Sequence, residues 1–159
     1  MIKLSNEIIH FFQDQGCVIV STVDEDGSPN SSCKGIVEID HDGRVYLLDL
    51  YLGRTRKNLE RDPHISITAI NEHHFTGYCL KGRARILTKE ELKPHLVKAW
   101  DDRITSRLTQ RLIRNIHGEK GHPRHPEALL PDPQYVIAVE VDEIVDLTPH
   151  PLREMPSEE

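Results

Sequence analysis

The segment from Tyr78 to Leu87 constrains the fold more than any other part of the chain. Tyr78, Leu80, Gly82, Ala84 and Ile86 fall on one side of a period-two pattern, and Cys79, Lys81, Arg83 and Arg85 on the other. That alternation is a long strand with one face buried and one solvated. Such a strand needs partners, and the chain supplies them. Residues 17–23 are a β-branched run, 30–39 and 44–50 read as strands, 65–70 alternate as Ile-Ser-Ile-Thr-Ala-Ile, and 134–147 give a last strand. Turn formers punctuate them: Asp24-Glu25-Asp26-Gly27-Ser28-Pro29, then Asp40-His41-Asp42-Gly43, then a loop over 71–75.

Helical spacing is confined to three places. Leu4, Ile8, Ile9, Phe11 and Phe12 share one side of a helix over 4–15, with Ser5 as its N-cap and Gly16 at its end. Residues 54–61 read as a short helix stopped by Asp62-Pro63, since the residue before proline disfavours the helical region. Thr88-Lys89-Glu90-Glu91 has capping-box spacing and is expected to open a helical region reaching Ile116, with Pro94 early in it. The fold expected is mainly β with peripheral helices, a six-stranded antiparallel barrel. One domain spans 1–150, with a helical and loop insertion at 101–133 and a proline- and glutamate-rich tail at 151–159.

Composition narrows the function classes. The formal net charge of -6 argues against a dedicated nucleic-acid binder, and aromatics for stacking are scarce at 5%. No apolar run approaches the ~20 residues of a membrane span, and the first residues lack the plan of a secretory signal. Three cysteines, Cys17, Cys33 and Cys79, have no Cys-x-x-Cys spacing, so a reducing cytoplasm is expected, with Cys17 and Cys33 as buried free thiols. Of ten histidines, His117, His122 and His125 sit in a Pro/Gly-rich stretch, and His73-His74 in a loop. They lack the short spacing on ordered elements that zinc sites use, and no metal is expected.

The richest segment chemically is Leu52-Gly53-Arg54-Thr55-Arg56-Lys57-Asn58-Leu59. Cations are unfavourable at a helix N-terminus, which is already partly positive. A bound anion would turn that repulsion into charge-assisted hydrogen bonds, with Thr55 adding a hydroxyl. The alternative is a solvated helix whose charges pair with Glu60, Asp62 or water. Neither Gly-x-Gly-x-x-Gly nor a P-loop motif occurs, so basic side chains beside a barrel are the remaining way to hold a phosphate.

The order of these elements resembles the FMN-binding split β-barrel proteins, relatives of pyridoxamine 5'-phosphate oxidase. The matching features are Thr22-Val23-Asp24 with Gly27-Ser28-Pro29, then 54–63, then Tyr78-Cys79-Leu80-Lys81-Gly82-Arg83-Ala84. The resemblance implies that Arg54, Thr55 and Lys57, with Arg56 beside them, hold an FMN phosphate. It places the flavin ring along Ser32, Cys33, Lys34 and Gly35 and along Leu48, Asp49 and Leu50. It further implies a homodimer with flavin at the interface, the partner chain contributing Thr76, Gly77 and Tyr78. Lys34 is the candidate cation near the N1/O2 edge of the ring. A small-molecule substrate or electron donor is expected, with no nucleic acid or membrane as partner.

The oxidase carries an Arg-rich segment after its last strand, whereas this chain ends in Leu147-Thr148-Pro149-His150-Pro151-Leu152-Arg153 and an acidic tail. An FMN-dependent oxidoreductase acting on something other than vitamin B6 is therefore the expected function. A flavin electron-transfer or sensor module is the alternative, as is a haem or deazaflavin binder on the same barrel. Haem would draw its axial ligand from the His-rich stretch. No residue is marked as a catalytic acid, base or nucleophile. Trp100, with Leu96, Leu108, Leu112 and Ile116, reads as packing.

Overall fold

The structure, a computed structural model of the chain, describes residues 1–49, 53–119, 121–122 and 135–153. Leu50, His125, the tail beyond Arg153 and most of residues 120–134 lie outside the described residues. Six strands form the body: β1 (Val18–Val23), β2 (Pro29–Ile39), β3 (Arg44–Leu48), β4 (His64–Asn71), β5 (Thr76–Thr88) and β6 (Tyr135–Asp146). Every paired neighbour is antiparallel, and the sheet closes as a barrel in the order β1-β2-β3-β6-β5-β4.

Closure follows from the period-two patterns. Val18 and Val20, Val45 and Leu47, Ile65 and Ile67, Leu80, and Ile137, Val139 and Val141 all turn inward to one buried core. On β5, Leu80 and Gly82 are buried while Lys81, Arg83 and Arg85 are exposed, as the alternation predicts. The register of β5 against β6 shifts between Lys81 and Gly82. There the backbones approach so closely that a Cβ on Gly82 would lie 2.0 Å from the Glu140 carbonyl oxygen. Only glycine fits at such a bulge.

The helices attach to this body at separate places. Helix α1 (Asn6–Gln13) is capped by Ser5, whose hydroxyl accepts from the Ile8 N–H at 3.3 Å. It puts Ile9 and Phe12 into the barrel core, and Phe11 meets Tyr78 edge-on with ring centroids 5.0 Å apart. Helix α2 (Arg54–Arg61) contributes Leu59 to the same core from the opposite end of β1. Helix α3 (Pro94–Ile116) lies outside the barrel against β2 and the adjoining ends of β3 and β6, where Trp100 and Ile104 pack with Leu48 and Val136. A four-residue helix α4 (His150–Arg153) follows β6, its Arg153 guanidinium donating to the Thr148 and Asp146 carbonyls at 2.6 Å. Among the described residues no helix is long and apolar enough to cross a membrane.

Three local expectations are corrected. The capping box at Thr88 and Glu91 forms, but it caps only a 3-10 turn, Lys89–Glu91. Helix α3 starts afresh at Pro94, because a proline has no N–H to continue an incoming helix and is well suited to a first position. Cys17 and Cys33 are exposed, where buried thiols were expected. Cys33 sits opposite Ile19, because the first hairpin centres on Asp26.

Candidate functional site

Helix α2 is short, and its faces are sharply different. Thr55, Asn58 and Leu59 are buried at helical spacing, while Arg54, Lys57 and Glu60 are exposed. The helix ends at Asp62, whose backbone is extended ahead of Pro63. Its N-cap is Gly53, with no side-chain cap and no acidic residue in the first turn. Among the described residues the first-turn N–H groups therefore have no side-chain acceptor, in the place where an anion is most favourable.

The buried face of α2 is joined to the barrel by polar contacts, an uncommon use of interior positions. The Thr55 and Ser32 hydroxyls are 2.9 Å apart, and the Asn30 amide donates to Thr55 at 3.5 Å. Asn58 donates to the Thr22 hydroxyl at 3.0 Å and to the Asp24 carboxylate at 2.7 Å. Arg61 donates to the Val23 carbonyl. These bonds satisfy groups that burial would otherwise penalise, and they fix the helix against β1 and β2.

The three cations of the turn differ in their partners. Arg54 is exposed and pairs with Asp24 at 3.3 Å. Arg56 pairs with Glu60 at 2.9 Å and lies over the Tyr135 ring, 4.7 Å from its centroid. It was expected beside the site and with its direction open; it is instead the least exposed of the three, at 28% of its side chain. Lys57 is exposed and has no ion pair among the described residues.

Next to α2, on the inward face of β2 and just past β3, Lys34 donates to Asp49 at 2.7 Å. The pair is almost fully enclosed, with 9% and 2% of the two side chains exposed. Among the described residues, the second Asp49 oxygen, Oδ2, and the Tyr135 hydroxyl are buried without a hydrogen-bond partner. Burial, and then the negative charge of Asp49, push the Tyr135 hydroxyl above its ordinary pKa, so it stays protonated.

The structure thus brings together Ser32, Lys34, Asp49, Thr55 and Arg56, and Gly35 pairs with Leu48 across the strands. Thr76, Gly77 and Tyr78 do not join them within one chain. They lie on β5, three strands from β2 in either direction around the barrel. Tyr78 donates to Glu7 at 3.1 Å on α1, and burial followed by that contact raises its pKa. Sequence reasoning missed Tyr135, which approaches Asp49 only through the barrel's closure and carries no local signal. Asn58 could have been found, since it is three residues from Thr55 and adjacent to Leu59 on the buried side of a helix.

A closed six-stranded barrel with a basic, uncapped helix start at one end defines the class as a split-barrel protein. The family model for pyridoxamine 5'-phosphate oxidase matches residues 4–143, and the chain belongs to that family. Among solved structures, HupZ from Group A Streptococcus is similar at 22% identity and TM-score 0.62, over 91% of this chain and 94% of that one. HutZ, the heme storage protein from Vibrio cholerae, is similar at 20% identity and TM-score 0.53, over 91% and 94%. An F420 reductase is similar at 14% identity and TM-score 0.53, over 86% and 94%. At these identities the likeness is one of fold. No curated protein matches the chain.

Proposed function

We propose that the chain is an FMN-binding oxidoreductase of the split-barrel kind, acting as a homodimer on a small molecule. The observation that carries this reading is the start of α2, where Arg54, Thr55, Arg56 and Lys57 crowd a first turn with neither a side-chain cap nor an acidic residue. A phosphate ester would take the free N–H groups and the Lys57 ammonium, with Arg54 turning from Asp24. Thr55 would anchor the turn through Ser32. The donor set beside it suits a flavin, because buried Asp49 Oδ2 and the Tyr135 hydroxyl offer an unfilled acceptor and donor.

When bound, FMN supplies the hydride or electron chemistry, and the protein supplies position and electrostatics. Ser32, Cys33, Lys34 and Gly35 would line one side of the ring and Leu48 and Asp49 another; the expected contact at Leu50 lies outside the described residues. Lys34, at 2.7 Å from Asp49, brings a neutralised pair to the ring in place of a free cation. Thr76, Gly77 and Tyr78 would reach the site from a second copy, since their own barrel holds them on its opposite side.

The test is a visible spectrum of the purified protein before and after adding FMN and desalting. Retained flavin bands, lost in the double variant of Arg54→Ala and Lys57→Ala, are expected. Failure to retain FMN, or a Soret band from haem, would overturn the assignment, and tighter retention of a deazaflavin would shift it to that cofactor. Oxidation of NADH or NADPH with turnover would separate an enzyme from an electron-transfer or sensor module.

A further inference from the structure

The outer face of β3, β6 and β5 carries a second concavity, away from α2. The register sets Tyr46, Ala138 and Arg85 side by side on these three strands, with Arg44, Glu140 and Arg83 in the next outward row. Tyr46 and Arg85 are thus two strand spacings apart, ~10 Å, with only the Ala138 methyl between them. Leu87 and Leu96, the latter from the first turn of α3, give the slot an apolar wall. Together they bound a cavity of about 440 Å³, a size usual for small-molecule sites. Leu48 and Val136, packed with Trp100, separate it from Asp49 and Tyr135 along the same two strands.

The donors of this cavity are set in place by the fold. Glu91 accepts from the Thr88 N–H at 3.0 Å, and its other oxygen accepts from the Arg85 guanidinium at 2.6 Å. One N–H of Arg85 is engaged there, and the planar fork has further donors to give. Burial raises the pKa of the Tyr46 hydroxyl and keeps it a donor, and Arg44 and Arg85 both lie near enough to oppose that shift. Arg44, Arg83, Arg85 and Lys93 line the cavity against two carboxylates, Glu91 and Glu140. Arg44 and Arg83 lean outward on Asp40 and Asp142, at 3.9 and 3.5 Å, in exposed pairs that cost little to open. A chain of net charge -6 therefore gathers cations around an apolar slot.

We propose that this cavity is a binding site for a small aromatic carboxylate. The ring lies over Ala138 against Leu87 and Leu96, and the carboxylate accepts from the Arg85 guanidinium and the Tyr46 hydroxyl. Arg44 and Arg83 flank Glu140 on its two neighbouring strands and offset its repulsion. The site is independent of the flavin reading and would be occupied whether or not FMN is bound.

The test is isothermal titration of the protein, with and without FMN, using benzoate, its neutral analogue benzamide, and acetate, which lacks the ring. Benzoate should bind in both states, and benzamide and acetate should each bind at least about tenfold more weakly. Arg85→Gln, a change at an exposed side chain, and Ala138→Ile, which fills the slot, should each weaken benzoate about tenfold or more. Tyr46→Phe should weaken it less than Arg85→Gln, a neutral donor being lost in place of a charged one. Unfolding midpoints of the variants near that of the parent should accompany these losses. No saturation by ~10 mM benzoate would overturn the site, and equal binding of benzamide would overturn its anionic ligand. Unchanged affinity in Arg85→Gln, or displacement of benzoate by FMN, would overturn its placement.

Discussion

Replacing Lys34 by methionine is the most informative single change to the site. The substitution keeps the unbranched shape of the side chain as far as Cε, with a sulfur in place of the δ methylene, and removes the ammonium. Asp49 then keeps a carboxylate that is 98% enclosed, given 2% side-chain exposure, and loses its ion pair at 2.7 Å. Its other oxygen already has no partner to compensate. Stranding a buried charge in this way costs about 3–5 kcal/mol, whereas replacing both members by apolar groups is near neutral or stabilising. Lys34→Met should thus lower the unfolding free energy by about 3–5 kcal/mol in urea titrations at neutral pH. The double variant with Asp49→Leu should recover most of that loss. A single variant within about 1 kcal/mol of the parent, or a double variant no better than the single, would refute the reasoning. The double variant also separates stability from binding, because it folds without the pair and can be titrated with FMN.

Other changes test the remaining supports. Asn58→Leu takes the 2.7 Å donor from an Asp24 oxygen and leaves the Thr22 hydroxyl with the Asn30 amide alone, and should cost about 1–3 kcal/mol; a loss under about 0.5 kcal/mol in the same titration would contradict it. Gly43 has φ +83°, and a Cβ there would lie 2.1 Å from the Ile2 carbonyl oxygen. Gly43→Ala should lower the melting temperature measurably by combining left-handed strain with displacement of the N-terminal segment. The acid limb has a definite sign. Hydrogen bonds from Ser28 hold Asp26, and those from His64 hold Asp62, below the usual aspartate range. Folded values below unfolded ones give stability that is present above about pH 4 and lost as pH falls through the folded values. Urea midpoints followed downward from neutral pH should fall there, and Ser28→Ala should flatten the Asp26 part.

The strands, their turns and the short basic helix were legible because each rests on neighbours in sequence: alternation, an Asp-Gly pair, a proline after an aspartate. The start of α3 was misread for a local reason as well, since a capping box opening at Thr88 and a proline six residues later can end one turn and begin another. What was not legible depends on closure. Nothing near Tyr135 announces that β6 lies beside β3 and so brings it toward Asp49. Nothing near Lys34 tells a strand lysine facing solvent from one facing into a barrel, because its partner is set by the β2–β3 pairing.

The same distinction changes the electrostatics of the site. Counted along the sequence, Lys34, Arg54, Arg56 and Lys57 are four positive charges around one ligand. In the fold Lys34 is matched by Asp49, Arg54 by Asp24 and Arg56 by Glu60, and Lys57 alone has no ion pair among the described residues. An arriving phosphate therefore meets one unmatched ammonium and the free end of α2, with Arg54 held nearby in an exposed pair that costs little to break. Buried Lys34 cannot be recruited as cheaply, since Asp49 would be stranded. The phosphate should accordingly depend most on Lys57. Lys57→Ala alone should weaken FMN more than Arg54→Ala alone; equal losses in a fluorescence titration would show that Arg54 leaves Asp24 for the phosphate at no net cost and would refute the ranking.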